Sequence, residues 1–156
     1  MTPDLFKQIA SHWLTGVAVV TSATAEGELH GMTMSAVTSL SLDPPQFLCC
    51  MDNRAKTLRA IESSGSFCIH YLSADQQHLS SHFARPSDDR FRDITYRTGE
   101  TGAPILDGVI AYVECELAEI LPGGDHSIVI GHAKFGSVPG GHPLAYFHGG
   151  YHKIHD

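Results

Sequence analysis

The sequence predicts a mainly β protein, an antiparallel β-barrel with helical caps, on three observations. In Val113-Glu114-Cys115-Glu116-Leu117 apolar and acidic residues alternate strictly, the period-2 pattern of a half-buried antiparallel strand. Short β-branched or apolar runs, among them Gly16 to Ser22, Gln46 to Met51 and Phe67 to Leu72, are separated by turn signals. About six or seven such runs stand against two or three helical segments, with antiparallel neighbours dominant, which favours a barrel over a parallel βαβ sheet.

The first element reads as an amphipathic helix. Thr2 is its N-cap, Pro3 takes the first helical position, and Leu5, Phe6, Ile9 and Trp13 share one side, expected to cover one end of the core. Gly16 to Ser22 and Leu29 to Ser35 form a hairpin across Ala25-Glu26-Gly27-Glu28. Asp43-Pro44-Pro45 stops any regular element before the apolar strand Gln46 to Met51. Asn53 is a candidate N-cap for a helix from Arg54 to about Ser63, with Leu58 and Ile61 inward and Gly65 at its end. After the buried strand Phe67 to Leu72, Ser73 and Gln76 resemble a capping box that opens a helix to about Phe83. Ala84 to Pro104 is polar and irregular, a surface loop. Val113 to Leu117 then runs to the turn Pro122-Gly123-Gly124-Asp125, His126 to Phe135 returns, and Pro143 to Ile154 adds a final short strand.

The 156 residues fit one domain, 1–156, able to bury about two thirds of the surface its unfolded form exposes. The net charge of −7 comes with Lys and Arg scattered singly, so no basic stripe is present to neutralise phosphates in a row, and nucleic acid is not an expected partner. No apolar run approaches the roughly 20 residues of a membrane span. Met1-Thr2-Pro3-Asp4 lacks the basic and apolar regions of a signal peptide, so a cytoplasmic location is expected. Cys49, Cys50, Cys68 and Cys115 lie within or beside apolar runs, and buried free thiols are expected of them.

No Gly-x-Gly-x-x-Gly follows a strand, no phosphate loop occurs, and no Gly-x-Ser-x-Gly elbow is present. Three segments carry candidate chemistry, each beside an ordinary structural alternative. The hydroxyls from Thr33 to Ser41 either satisfy local backbone on an exposed strand or form a rim of donors for a polar heterocycle. Asp52-Asn53-Arg54-Ala55-Lys56-Thr57, at a strand-to-helix junction, is either a solvated helix start or an anion site. Gly124-Asp125-His126 sets an imidazole beside a carboxylate at a turn, which is either a turn aspartate with an exposed histidine or a reactive pair. His148, His152 and His155 have spacings that suit metal on a helix, but Gly149, Gly150 and Tyr151 argue against a helix, and no metal site is expected.

In this order the segments resemble the short-chain flavin reductase family, the NAD(P)H:flavin oxidoreductases of two-component monooxygenases. The likeness covers nearly the whole chain. It is carried by Gly16-Val17-Ala18-Val19-Val20-Thr21, Gly31-Met32-Thr33-Met34-Ser35-Ala36, Ser39-Leu40-Ser41-Leu42-Asp43-Pro44-Pro45 and Asn53-Arg54-Ala55-Lys56-Thr57-Leu58, then by Phe67-Cys68-Ile69-His70-Tyr71-Leu72 and Gly124-Asp125-His126-Ser127-Ile128-Val129-Ile130-Gly131. The resemblance implies a six-stranded FMN-binding split barrel that dimerises, FMN or FAD as flavin, NADH with NADPH possible, and a monooxygenase component as partner. It assigns Thr33, Met34, Ser35, Ala36, Ser39 and Leu40 to the flavin ring and ribityl chain, and Asn53, Arg54, Lys56, Thr57, Phe83 and Ala84 to the phosphate side. It sets His126 by the nicotinamide with Asp125 orienting it, and His148 and Tyr151 in the third wall. The family's Tyr-Phe-Arg-Gly-x-Tyr ending reads Tyr146-Phe147-His148-Gly149-Gly150-Tyr151 here, so the cation of that wall becomes titratable. A rival implied by the same fold is a flavin- or haem-binding protein without NADH turnover.

Overall fold

The run from Val17 to Ser22 is buried along its whole length because both of its faces meet a core. In the computed structural model, which describes residues 1–87 and 89–154, Val17 and Val19 pack with Leu72, Phe83 and Leu106. Ala18 and Val20 pack on the other side with Met34, Met51, Phe67 and Val129. In chain order the elements are α1 (Pro3–Ser11), β1 (Thr15–Gly16), β2 (Ala18–Ala23), β3 (Leu29–Met34), β4 (Val37–Leu42), β5 (Pro45–Asp52), α2 (Lys56–Ser64) and β6 (Ser66–Tyr71). There follow α3 (Gln77–Ala84), β7 (Tyr96–Thr98), β8 (Pro104–Leu106), β9 (Ala111–Gly123), β10 (His126–Ser137), β11 (Leu144–Phe147) and β12 (Gly150–Lys153).

The fold is mainly β with antiparallel neighbours and helices outside the sheet, as expected, but the expected six-stranded barrel is instead a seven-stranded sheet of order β3-β2-β6-β9-β10-β5-β4. Its two outermost strands are consecutive in the chain. Ser35 and Ala36 alone join them, a link that spans at most about 11 Å. Seven strands laid flat would separate those edges by roughly 29 Å. The sheet therefore has to curl until its edges approach at the Ser35 end. A small sheet, β1-β11-β12, and the β7-β8 hairpin complete the described strands.

Five local expectations are corrected. Helix α1 has its Thr2 cap, with Oγ1 accepting from the Leu5 N–H at 3.3 Å, but it buries none of its residues, and Phe6, Ile9 and Trp13 are more than half exposed. Its C-terminal end docks on the tail, where the His148 N–H donates to the Ser11 carbonyl, so the apolar stripe never reaches the core. The cap of α2 is Ala55 rather than Asn53, because the Asp52 carboxylate takes the Arg54 N–H and delays the first helical turn. Gln76 does reach back to the Ser73 N–H, but α3 starts at Gln77 with Gln76 in the cap position. The segment from Ala84 to Pro104 is not all loop, since β7 and the first residue of β8 fall in it. Glu114, expected on the wet face of β9, is 1% exposed, because the β7-β8 hairpin folds over it and Thr101 donates to its carboxylate from both N–H and Oγ1.

All four cysteines are free, and burial pushes the Cys49 and Cys68 thiols up and that of Cys115 to about 12. His70 is fully buried. Its Nδ1 lies 2.9 Å from the Val19 carbonyl, to which it can only donate, and its Nε2 accepts the Leu106 N–H at 3.1 Å, so the neutral ring is wired into two strands. Burial lowers its pKa to about 4.

Gly131 ends the Gly-Asp-His segment quoted above, and its role is packing. A Cβ there would lie 2.5 Å from the Phe67 ring and 2.7 Å from the Cys115 Cβ. Gly131→Ala is expected to cost about 1–3 kcal/mol by urea denaturation. Phe67→Leu in the same chain should recover part of that, so the double variant loses less than the two singles together. For His70 the folded pKa lies below the unfolded one, so stability is complete above pH 6.5 and is lost as pH falls toward 4. The loss at pH 4 should be on the order of 3 kcal/mol, and His70→Gln should flatten that limb of the stability profile.

Candidate functional site

The curl brings the end of β5, the start of α2 and the free edge of β3 around one cleft of about 500 Å³. Glu28 to Thr33 form one wall, Asp52 and Arg54 to Thr57 another, and Phe83, Ala84 and Arg90 close the third. Ala55 offers no side-chain cap to the start of α2, whose first turn faces the cleft. Arg54, Lys56 and Arg90 gather here three of the ten Lys and Arg side chains of a chain with net charge −7. An anion is the ligand such a helix start attracts.

The cations are held, not loose. Arg54 grips Asp52 in fork fashion, Nε to Oδ1 at 3.0 Å and Nη2 to Oδ2 at 2.7 Å, and that hydrogen bonding holds the Asp52 carboxyl well below the usual carboxylate range. Arg90 donates from Nη1 to the carbonyls of Gly31 and Phe83, fixing the edge of β3 against α3. Gly31 must lack a side chain there, since a Cβ would meet the Phe83 ring at 2.8 Å. Thr33 donates from Oγ1 to the Ser80 carbonyl at 2.7 Å.

A second hollow of about 580 Å³ lies between α1 and the sheet, with Phe6, Trp13, Thr15, Ser35, Ala36 and Tyr146 among its walls. Cys50 lines this hollow and Asp52 the first. Two apart on β5, they face the same side, so the hollows are neighbours. Thr15 Oγ1 is buried and makes no hydrogen bond within the described residues.

His126 pairs with Asp52 across the β10-β5 ladder, so its side chain emerges on that same side. Its Nδ1 lies 2.7 Å from Asp125 Oδ1. The carboxylate only accepts, so Nδ1 carries the proton and Nε2 is left for a ligand. The imidazole is 45% exposed and the Asp125 side chain 95%. Asn53 binds this turn: its N–H donates to the Asp125 carbonyl at 3.1 Å, its Nδ2 to the Gly124 carbonyl at 3.2 Å, and Ser127 Oγ donates to its Oδ1 at 2.8 Å.

Of the residues expected in a site, Thr33, Arg54, Lys56, Thr57, Phe83 and Ala84 meet in the first cleft, and Ser35 and Ala36 in the second hollow. Met34 is buried in the core, and Ser39 and Leu40 are exposed on the edge strand β4. Tyr151 spends its hydroxyl on Ser80 at 2.9 Å. His148 sits in the β11-β12 turn at φ 51°, its ring edge-on to His12 with centroids 4.7 Å apart. His152 lies on β12, and His155 falls outside the described residues. Asp52 belongs to the candidate anion run but was given no role of its own, and Arg90 and Thr15 were not expected. The Asp-x-Arg spacing is a signal for the first of them, and nothing local marks the other two.

The fold is similar, at 30% sequence identity, to a solved structure, that of a Streptomyces globisporus NADH:FAD oxidoreductase in complex with NAD and FAD fragments. The match covers 96% of this chain and 91% of that one, with a TM-score of 0.91. Residues 10–155 match the flavin reductase like domain. The chain belongs to the flavin reductase family. Among its curated relatives is a probable flavin reductase of Rhizobium meliloti, 38% identical over 149 residues and 96% of this chain. This chain spans only 48% of that relative's length. The reductase subunit of a flavin-dependent monooxygenase from Mycobacterium tuberculosis is 33% identical over 97% of this chain and 82% of its own.

The residues of this flavin reductase fit a flavin nucleotide. The uncapped start of α2 with its cations suits phosphate, and the unpartnered Thr15 hydroxyl among aromatic walls suits a polar ring edge. Asp52→Asn releases the Arg54 guanidinium, so titration with ADP at low salt should show binding about two- to threefold tighter, the scale of an exposed ion pair. The gain should vanish at high salt and in an Arg54→Ala background.

Proposed function

We propose that this chain is a flavin reductase that passes a hydride from NADH to FMN or FAD and supplies the reduced flavin to a partner monooxygenase. The observation that carries this reading is the Asp52 to His126 rung, which joins the cation-lined cleft to a half-exposed imidazole on one side of the sheet. Bound together, the cofactors supply the chemistry, a hydride from the nicotinamide C4 to the flavin N5. The protein's work is then orientation and exclusion of water.

In this reading Lys56, Thr57 and the α2 N–H groups take the flavin phosphate, with Arg54 sharing its charge between that phosphate and Asp52. Thr33, Ser35 and Ala36 run beside the ring. His126 presents Nε2 to the nicotinamide, and Asp125 keeps the proton on Nδ1. NADH is the preferred donor and NADPH a possible one, with no arginine among the described residues dedicated to a 2′-phosphate. His148 and Tyr151 belong to the third wall, completed when α1 and the tail pack against a second copy in a homodimer. The exposed stripe of Leu5, Phe6, Ile9 and Trp13 supports that assembly. The reductase works as one domain in the cytoplasm; no helix among the described residues is long and apolar enough to cross a membrane.

A flavin- or haem-binding protein without NADH turnover would have no use for the Asp125-His126 pair on this side. His126→Ala is expected to lower kcat/KM for NADH by about 10- to 100-fold while flavin affinity stays within twofold, followed as loss of NADH absorbance with FMN or FAD added. An unchanged NADH oxidation rate would overturn the assignment.

A further inference from the structure

The tip of the β9-β10 hairpin is a two-residue turn, Gly124-Asp125, closed by the His126 to Gly123 rung. Gly123 and Gly124 are exposed, Gly124 takes φ 75°, and Asp125 reaches into solvent. Yet His126 stands at its base and must point in one direction to be useful. Asn53 adds a side-chain restraint to the ladder pairs that hold the histidine. Its N–H and Nδ2 donate to two successive carbonyls of the turn, Asp125 and Gly124, and its Oδ1 accepts from Ser127, the residue after the histidine. The Asn53 carbonyl in turn accepts from Arg59 Nη2 at 3.1 Å, so the clamp is anchored on the second turn of α2. Asn53 does not line the cleft, and both polar atoms of its amide bond to the histidine turn.

We infer that Asn53, with Ser127, is a positioning residue for His126: it fixes the histidine turn to the strand-helix junction that binds the flavin phosphate and so sets the distance between the two cofactor sites. The inference rests on the role proposed above for His126. It differs from the phosphate contact that the family resemblance assigns to Asn53. Asn53→Ala removes both side-chain bonds and leaves the α2 cap, Ala55, untouched.

The test is a double-mutant cycle of Asn53→Ala with His126→Ala, with Ser127→Ala as the variant that cuts one bond from the β10 side. Steady-state rates are read with NADH and FMN, then FAD. Asn53→Ala should lower kcat/KM for NADH about 10-fold, the scale of two ordinary hydrogen bonds, with flavin KM within twofold. Ser127→Ala should show a smaller loss of the same kind. In the His126→Ala background Asn53→Ala should have no further effect. An equal loss in both backgrounds, a loss confined to flavin KM, or no loss from either Asn53→Ala or Ser127→Ala would overturn the positioning role. If His126→Ala alone leaves NADH use unchanged, the failure lies instead with the function assigned to the histidine.

Discussion

Ser35 and Ala36 have to bridge strands that the hydrogen-bonding order sets at opposite margins of a seven-stranded sheet. A link that short forces the margins together, and the forced approach creates the cleft. The free edge of β3 then faces the end of β5 and the start of α2, segments about 20 residues away in the chain. The curl is feasible only because crowded positions carry no side chain: Gly131 admits the Phe67 ring from inside, and Gly31 admits Phe83 at the β3 edge. Phe83 thereby serves two tasks at once, filling a core and closing the cleft wall. Core packing and site geometry are coupled through it.

Features set by neighbours in the chain were readable in the sequence, and features set by distant partners were not. The Thr2 cap, the hairpin of β2 and β3, the αL Gly65 after α2 and the β9-β10 turn all follow from residues within a few positions of one another. Asn53 failed as a cap because its side chain finds Gly124 and Ser127, more than 70 residues on, while Asp52 intercepts the local N–H. Glu114 alternates as a surface residue should, and only the remote β7-β8 hairpin turns it into a buried acceptor. In the site the same division holds. Arg54, Lys56 and Thr57 were legible as a contiguous anion-binding run, but Arg90 and Thr15 come to the two hollows through tertiary packing alone.

Electrostatics around the imidazole is weak, and that bears on how it is oriented. Asp125 is almost wholly exposed, so its pairing with His126 contributes little that salt and side-chain entropy do not offset. The carboxylate selects the tautomer. The direction of the ring is set instead by backbone: the Asp52 rung on one side and the Asn53 bonds on the other. A device of ladder pairs and hydrogen bonds suits a reaction whose chemistry resides in the cofactors, where a misplacement of about 1 Å can cost about 100-fold in rate.

Helix α1 is the element the chain does not complete. Nine residues are too few to hold a helix in water without tertiary support, yet none of them is buried. Its restraints are a cap at one end and the His148 N–H at the other, while its apolar stripe overhangs the second hollow. The same hollow contains the Thr15 hydroxyl, which has no partner among the described residues. An apolar surface and an orphaned hydroxyl side by side call for two kinds of occupant, one to cover the helix and one to take the hydrogen bond. A second copy of the chain and a flavin ring meet those demands together, which ties the homodimer proposed for this reductase to its cofactor site rather than to stability alone.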